Sequence, residues 1–235
     1  MIEVAQSHQK PAAATQASQV TMGQAQGQTT IWENQSYSAY VEAVARFPYL
    51  QVEYIAGDIV MAPAPTPRHQ IASANLMFAL QSYSRQHGLG MVLAAPLDVQ
   101  LEAETSIVQP DVIFIRQART QDLIQEQSIQ GAPDLIIEIL SPSTARVDRA
   151  VKLQLYARHL VPEYWIVNPT DQTVEVYTLQ AQGYLVAGIY TPEENITAGL
   201  FAQAQIRVGN IFGPAANAGD GQPETGPGAQ SPPAA

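Results

Sequence analysis

The stretch 132–167, APDLIIEILSPSTARVDRAVKLQLYARHLVPEYWIV, constrains the fold more than any other part of the chain. It opens with residues 135–140, an apolar run carrying one carboxylate, Glu138. An unbroken apolar run of that length predicts a strand covered on both faces. A charge inside such a strand is costly unless it is paired, metal-bound or protonated. Ser141-Pro142-Ser143-Thr144 then breaks the strand, and Asp148, Lys152 and Tyr156 follow at i, i+4 and i+8, one face of a helix. The chain returns in residues 164–167, a second apolar strand. A strand–helix–strand unit of this length predicts parallel pairing with a right-handed crossover. It also brings a carboxylate and a lysine to one end of a sheet, where chemistry is expected.

The preceding chain supplies the rest of the framework. Residues 37–47 have helical spacing, with Ser36 as N-cap and Pro48 as terminator. QVEYIAGDIVMA reads as two strands around Ala56-Gly57, with Glu53 and Asp58 flanking the turn. These two are either exposed carboxylates of a ribbon or members of a site. A proline-rich connector (63–67) leads into a helix over 68–87. His69 lies in its first turn, where it serves structure or contacts a phosphate or carboxylate. Residues 90–101 predict a strand interrupted by Pro96, and Pro110-Asp111 opens another apolar run through 115. Residues 117–131 are polar and irregular, 173–179 and 184–189 resemble a hairpin, and a last strand is expected near 205–208. The fold class is therefore α/β, a mixed central sheet flanked by helices, with an N-terminal helix and hairpin.

Both ends depart from this pattern. Residues 1–30 are rich in Gln, Ala, Ser and Thr, and residues 213–235 in Gly, Pro and Ala, so both are expected to be disordered around one domain at 31–212. There is no cysteine, which excludes disulfides and thiolate sites. His8, His87 and His159 have no partner at metal-ligand spacing. Neither a secretory signal nor a run long enough to span a membrane is visible, so a cytoplasmic protein is expected. The net charge is −10, about −8 once the tails are set aside, which argues against broad, sequence-blind nucleic-acid binding. The positive charge is uneven, however. Arg146, Arg149, Lys152 and Arg158 share one helix and Arg116 and Arg119 follow a strand, giving either a local basic patch or a solvated face.

Asp111 and Glu138 thus sit at or in apolar strands, with Lys152 just beyond. Two carboxylates on adjacent strands can hold Mg²⁺ or Mn²⁺, which prefer oxygen ligands and retain waters. A nearby lysine can orient a metal-activated water or stabilise charge on a phosphate. Each also has a structural alternative: Glu138 as a carboxylate paired to Lys152 or Arg146, and Asp111 as a capping aspartate.

The order Pro110-Asp111, Asp134-Leu-Ile-Ile-Glu138-Ile-Leu-Ser141-Pro-Ser143, Asp148, Lys152, Tyr156 and Pro162-Glu163-Tyr164-Trp165 resembles the Uma-type endonuclease family. Glu53-Tyr-Ile-Ala-Gly57-Asp58 and Pro67-Arg-His69 match its N-terminal pattern, so the resemblance runs over about residues 33–212. It implies a restriction-endonuclease-like fold with a PD-(D/E)-x-K site. Asp111 and Glu138 then hold Mg²⁺ (or Mn²⁺), and Glu53 is the further acidic member. The motif's lysine, expected where this chain has Leu140, is carried by Lys152 on the following helix. A second departure, His159-Leu160, has no catalytic consequence. The implied activity is metal-dependent hydrolysis of DNA phosphodiester bonds, with a homodimer as one way to cut two strands. A nuclease-fold module that binds or regulates without cutting is the competing expectation, because folds do not fix functions.

Overall fold

In the computed structural model, residues 28–213 are described. The disordered segments expected at 1–30 and 213–235 therefore lie almost wholly outside the described residues. In chain order the elements are β1 (Thr30–Trp32), α1 (Tyr37–Arg46), β2 (Gln51–Ile55), β3 (Asp58–Ala62), α2 (Pro67–His87), β4 (Gly90–Ala94), β5 (Val99–Glu102), β6 (Ser106–Val108), β7 (Val112–Arg116), α3 (Thr120–Leu123), β8 (Ile129–Gln130) and β9 (Leu135–Ile139). A π-helical turn (Val147–Lys152) then runs into α4 (Leu153–Arg158), followed by β10 (Glu163–Asn168), β11 (Thr173–Gln180), β12 (Gly183–Tyr190) and α5 (Val208–Phe212).

The strands form two six-stranded sheets, ordered β1-β3-β2-β6-β5-β8 and β12-β11-β10-β9-β7-β4. The fold class is the mixed α/β arrangement expected, and the early strands build a second sheet beside the central one. In the central sheet β9 pairs parallel with β10 and antiparallel with β7. Strand alternation sends Leu135, Ile137 and Ile139 into one core and Ile136 into another, so β9 is covered on both faces. The core holding Ile136, Ile113 and Ile166 also takes in Ile55, Val60 and Val108 of the other sheet, so the two sheets pack face to face. On the far side of the central sheet lies α2, and α1 covers the outer face of the first sheet.

The local signals behind the helices hold. Ser36 caps α1 by accepting the Ala39 N–H. Thr66 caps α2 in the same way, Pro67 occupies its first turn, and Ala72, Leu76 and Leu80 form its buried stripe. Gly90 opens β4 at φ 152°, where a side chain would collide with the Ile115 carbonyl.

One expectation fails. Residues 205–208 form no strand: Gln205 is left-handed at φ 53° after a 3₁₀ turn, Arg207 makes only an isolated bridge to Asn195, and Val208 already begins α5. Among the described residues no helix is long and apolar enough to cross a membrane.

Candidate active site

Alternation decides what meets between the sheets. Glu53 shares its strand face with Ile55, and Glu138 shares its face with Ile136, so both glutamates point into the space between sheets. Lys152 reaches that space from the π-helical turn. Its Nζ lies 2.9 Å from Glu53 Oε1, 3.0 Å from Glu138 Oε1 and 3.6 Å from Asp148 Oδ1. Such a turn inserts extra backbone into a helix and is frequent at functional sites. Here both of its charged residues facing the site, Asp148 and Lys152, are buried, at 2% and 3% exposure.

Glu138 Oε1 also accepts the Tyr156 hydroxyl at 2.5 Å. Glu53 Oε1 accepts the Gln109 N–H at 2.8 Å, tying it to the segment that carries Asp111. Asp111 stands immediately before β7. Its Oδ2 accepts the Ile139 N–H at 2.7 Å and faces His69 Nε2 at 3.2 Å. Asp111 is thereby fixed to the residue next to Glu138. Glu53, Asp111, Glu138 and Lys152, with His69 and Asp148, line a cleft of about 830 Å³ that continues to Ser141, Pro65 and Tyr49.

The electrostatics follow from crowding. Burial pushes Glu138 well above the ordinary carboxylate range, and Asp148, Asp111 and Glu53 add to the rise against Lys152 alone. Burial likewise raises Asp148 to about 6, opposed by Lys152 and a hydrogen bond from Thr144. Burial acts to lower Lys152, but Glu138, Glu53 and Asp148 outweigh it and hold the ammonium well above its usual value. At His69, burial acts downward and Asp111 more than reverses it. Its Nδ1 has no hydrogen-bond partner.

Three carboxylates thus share one buried ammonium, with Asp111 beside them on the same cleft, so acidic groups outnumber the cation. Glu138 commits Oε1, and Asp111 commits Oδ2, to the protein contacts described; Oε2 and Oδ1 take no part in them. Two carboxylates with an oxygen each to spare, on one cleft, fit a hard divalent cation that keeps several waters. Among the described residues no group of three or more His, Cys, Asp or Glu side chains is placed to hold a metal ion, so the protein would offer these two carboxylates alone.

Asp111, Glu138, Lys152, Glu53 and His69 are therefore brought together. Asp58 is not: it begins β3, accepts the Asn34 N–H at 2.9 Å and lies outside the cleft lining. Asp148 and Tyr156 join the site without having been assigned a role in it, although their spacing with Lys152 carried the signal. The basic patch is dispersed, since Arg116 and Arg119 pair with Asp134, Arg149 pairs with Glu175, and Lys152 is buried.

Comparison with known proteins bears on the fold and the family. Over 126 residues the chain is 26% identical to an uncharacterized protein of Synechocystis sp., slr1290, a match covering 53% of this chain and 64% of that protein. The chain thus spans less than two thirds of that relative's length. The crystal structure of a "putative nuclease belonging to DUF820" from Anabaena variabilis superposes with a TM-score of 0.57 at 22% identity, covering 68% of this chain and 89% of the other, and so shares its fold. Residues 39–209 match the Uma2 family, described as "Putative restriction endonuclease", and the chain belongs to that family.

Proposed function

We propose that the protein is a metal-dependent nuclease that hydrolyses DNA phosphodiester bonds, working in the cytoplasm. The observation that carries this reading is Lys152 bridging Glu53 and Glu138 on a cleft that also presents Asp111. Asp111 and Glu138 would hold Mg²⁺ or Mn²⁺, which when bound lowers the pKa of a coordinated water and offsets phosphate charge.

The chain's own residues do the rest. Asp111 is oriented by the Ile139 N–H and His69, and Glu138 by Tyr156 and Lys152. Glu53 and Glu138 engage two of the Lys152 N–H groups, and the third, 3.6 Å from Asp148, is the one that would align the attacking water and stabilise charge gathering on the phosphoryl oxygens. The water oxygen attacks phosphorus in line with the bond that breaks. The water's proton passes to solvent and the departing alkoxide takes one from solvent, giving a phosphomonoester and a free hydroxyl.

The net charge of −10 favours a second reading, a nuclease-fold module that binds or regulates without cutting. Plasmid cleavage in Mg²⁺ or Mn²⁺, compared between the protein and Glu138→Ala, separates the two. Metal-dependent nicking that falls at least a hundredfold in the variant is the expected outcome. No cleavage by either protein, at high concentration and low salt, would favour the non-cutting module. Equal cleavage by both would place the site elsewhere.

A further inference from the structure

The cleft has two chemically different halves. Its inner half is the carboxylate cluster, while its outer wall includes Pro48, Tyr49, Leu50, Pro63, Pro65 and Pro96. Proline rings present apolar faces and no N–H, so this wall offers little hydrogen bonding. Tyr49 is 92% exposed. A single exposed aromatic residue is ordinary on a protein surface, but this one stands on the wall of the proposed catalytic cleft.

Cations are arranged to match. Among the described lining residues the only lysine or arginine is Lys152, and its ammonium is already shared among Glu53, Glu138 and Asp148. Arg46, Arg68 and Arg146 are exposed, form no ion pair among the described residues, and lie one or two positions from lining residues Pro48, His69 and Val147. Exposed positive charge therefore neighbours the lining in sequence, a candidate rim, while the outer wall is aromatic and apolar.

Duplex DNA is gripped chiefly by neutralising many phosphates, which a cleft with one committed cation in an acidic chain does poorly. Its bases are also stacked on each other and closed to a side chain. An unpaired base has a free π-face, and stacking on an aromatic ring needs no charge. We infer that the cleft takes single-stranded DNA, with a base stacked on Tyr49, flanking phosphates at the arginine rim and the backbone led inward to Asp111 and Glu138. This rests on the nuclease reading and narrows its substrate.

The test measures binding without turnover: fluorescence anisotropy of a labelled 15-mer in EDTA, as single strand and as duplex, with the full chain and its Tyr49→Ala and Tyr49→Phe variants. The single strand is expected to bind at least about tenfold more tightly than the duplex. Tyr49→Ala should weaken single-strand binding about tenfold and Tyr49→Phe less than about twofold, in keeping with stacking on one base. Because Tyr49 is so exposed, both variants should unfold at the wild-type temperature. Equal single-strand binding by Tyr49→Ala and wild type, or tighter binding of duplex, would overturn the inference. If plasmid cleavage with Mn²⁺ persists in that case, the nuclease reading stands without it. Failure of the wild type to bind or cut any DNA would overturn both.

Discussion

Glu138 and Glu163 make an instructive pair. Both are 3% exposed, on neighbouring strands of the central sheet, and burial raises the pKa of each. They lie on opposite faces. Glu163 shares its face with Trp165, accepts that indole N–H on Oε1 and the Leu200 N–H on Oε2, and has no carboxylate against it. Its two oxygens are closed by two neutral donors, which pins the 199–200 turn to the sheet. Glu138 instead meets three further carboxylates and one ammonium, on a cleft. Burial alone therefore does not mark a site. Like charges gathered beside open space, more than structure needs, do.

The largest test of that contrast is Lys152→Met, which keeps the volume and removes the cation. Glu53, Glu138 and Asp148 would be left without compensation, and breaking a buried pair this way costs about 3–5 kcal/mol. Urea unfolding at pH 7 should register that loss, cleavage should disappear, and the deficit should shrink at low pH as the carboxylates take up protons. A cost at pH 7 no greater than that of altering Glu163 would erase the distinction between the two faces.

Next comes the pH response of Glu163. Burial raises it from 4.5 to about 7, against the Leu200 and Trp165 donors. The folded protein holds this proton more tightly than the unfolded chain does, so the associated stability is complete below the unfolded pKa. It is lost as pH rises through the folded value, by up to about 3 kcal/mol. Asp148, Glu138 and His69 are raised as well and act in the same direction, so the part due to Glu163 is read as the difference between the wild type and a Glu163 variant. Glu163→Gln leaves one donor facing an amide and should be less stable at pH 5 by about 1–2 kcal/mol. Its stability should then fall less steeply, and the two curves should converge towards pH 8. Parallel curves would mean that Glu163 does not titrate there.

The sequence made part of this contrast visible. One glutamate among isoleucines, followed by residues at helical spacing, pointed to Glu138 and Lys152 because both signals are local. Asp111 was legible from the proline that starts its strand. Glu53 was set apart from Asp58 only by the family resemblance, since strand alternation within a hairpin cannot say which face a second sheet will cover. Asp148 lay on the right helix face, but spacing alone cannot tell whether that face meets carboxylates or solvent. The burial of Glu163 depends on the 199–200 turn folding back from nearly forty residues away. The end of the chain misled because residues 205–208 suit a strand locally, while Gln205 adopts a left-handed turn.

The smallest effect expected is at His69, which separates orienting a carboxylate from merely filling space. In the neutral ring Nε2 carries the proton donated to Asp111 Oδ2, at 3.2 Å, and Nδ1, without a partner among the described residues, is a lone pair. His69→Ala leaves Asp111 held by the Ile139 N–H alone, free to rotate Oδ1 away from Glu138. Partners of this kind to a ligating group are typically worth about 10–100-fold in metal affinity. The Mn²⁺ concentration giving half-maximal cleavage should rise by that factor in His69→Ala, with the rate at saturating metal largely kept. His69→Gln, whose amide N–H can still reach Oδ2, should recover part of the loss. A purely structural histidine would give the opposite pattern, a lower unfolding temperature in both variants with no change in metal requirement. Asp111 would then need nothing beyond the backbone to present its free oxygen, and its fixation, like that of Glu163, would be the work of a neutral donor.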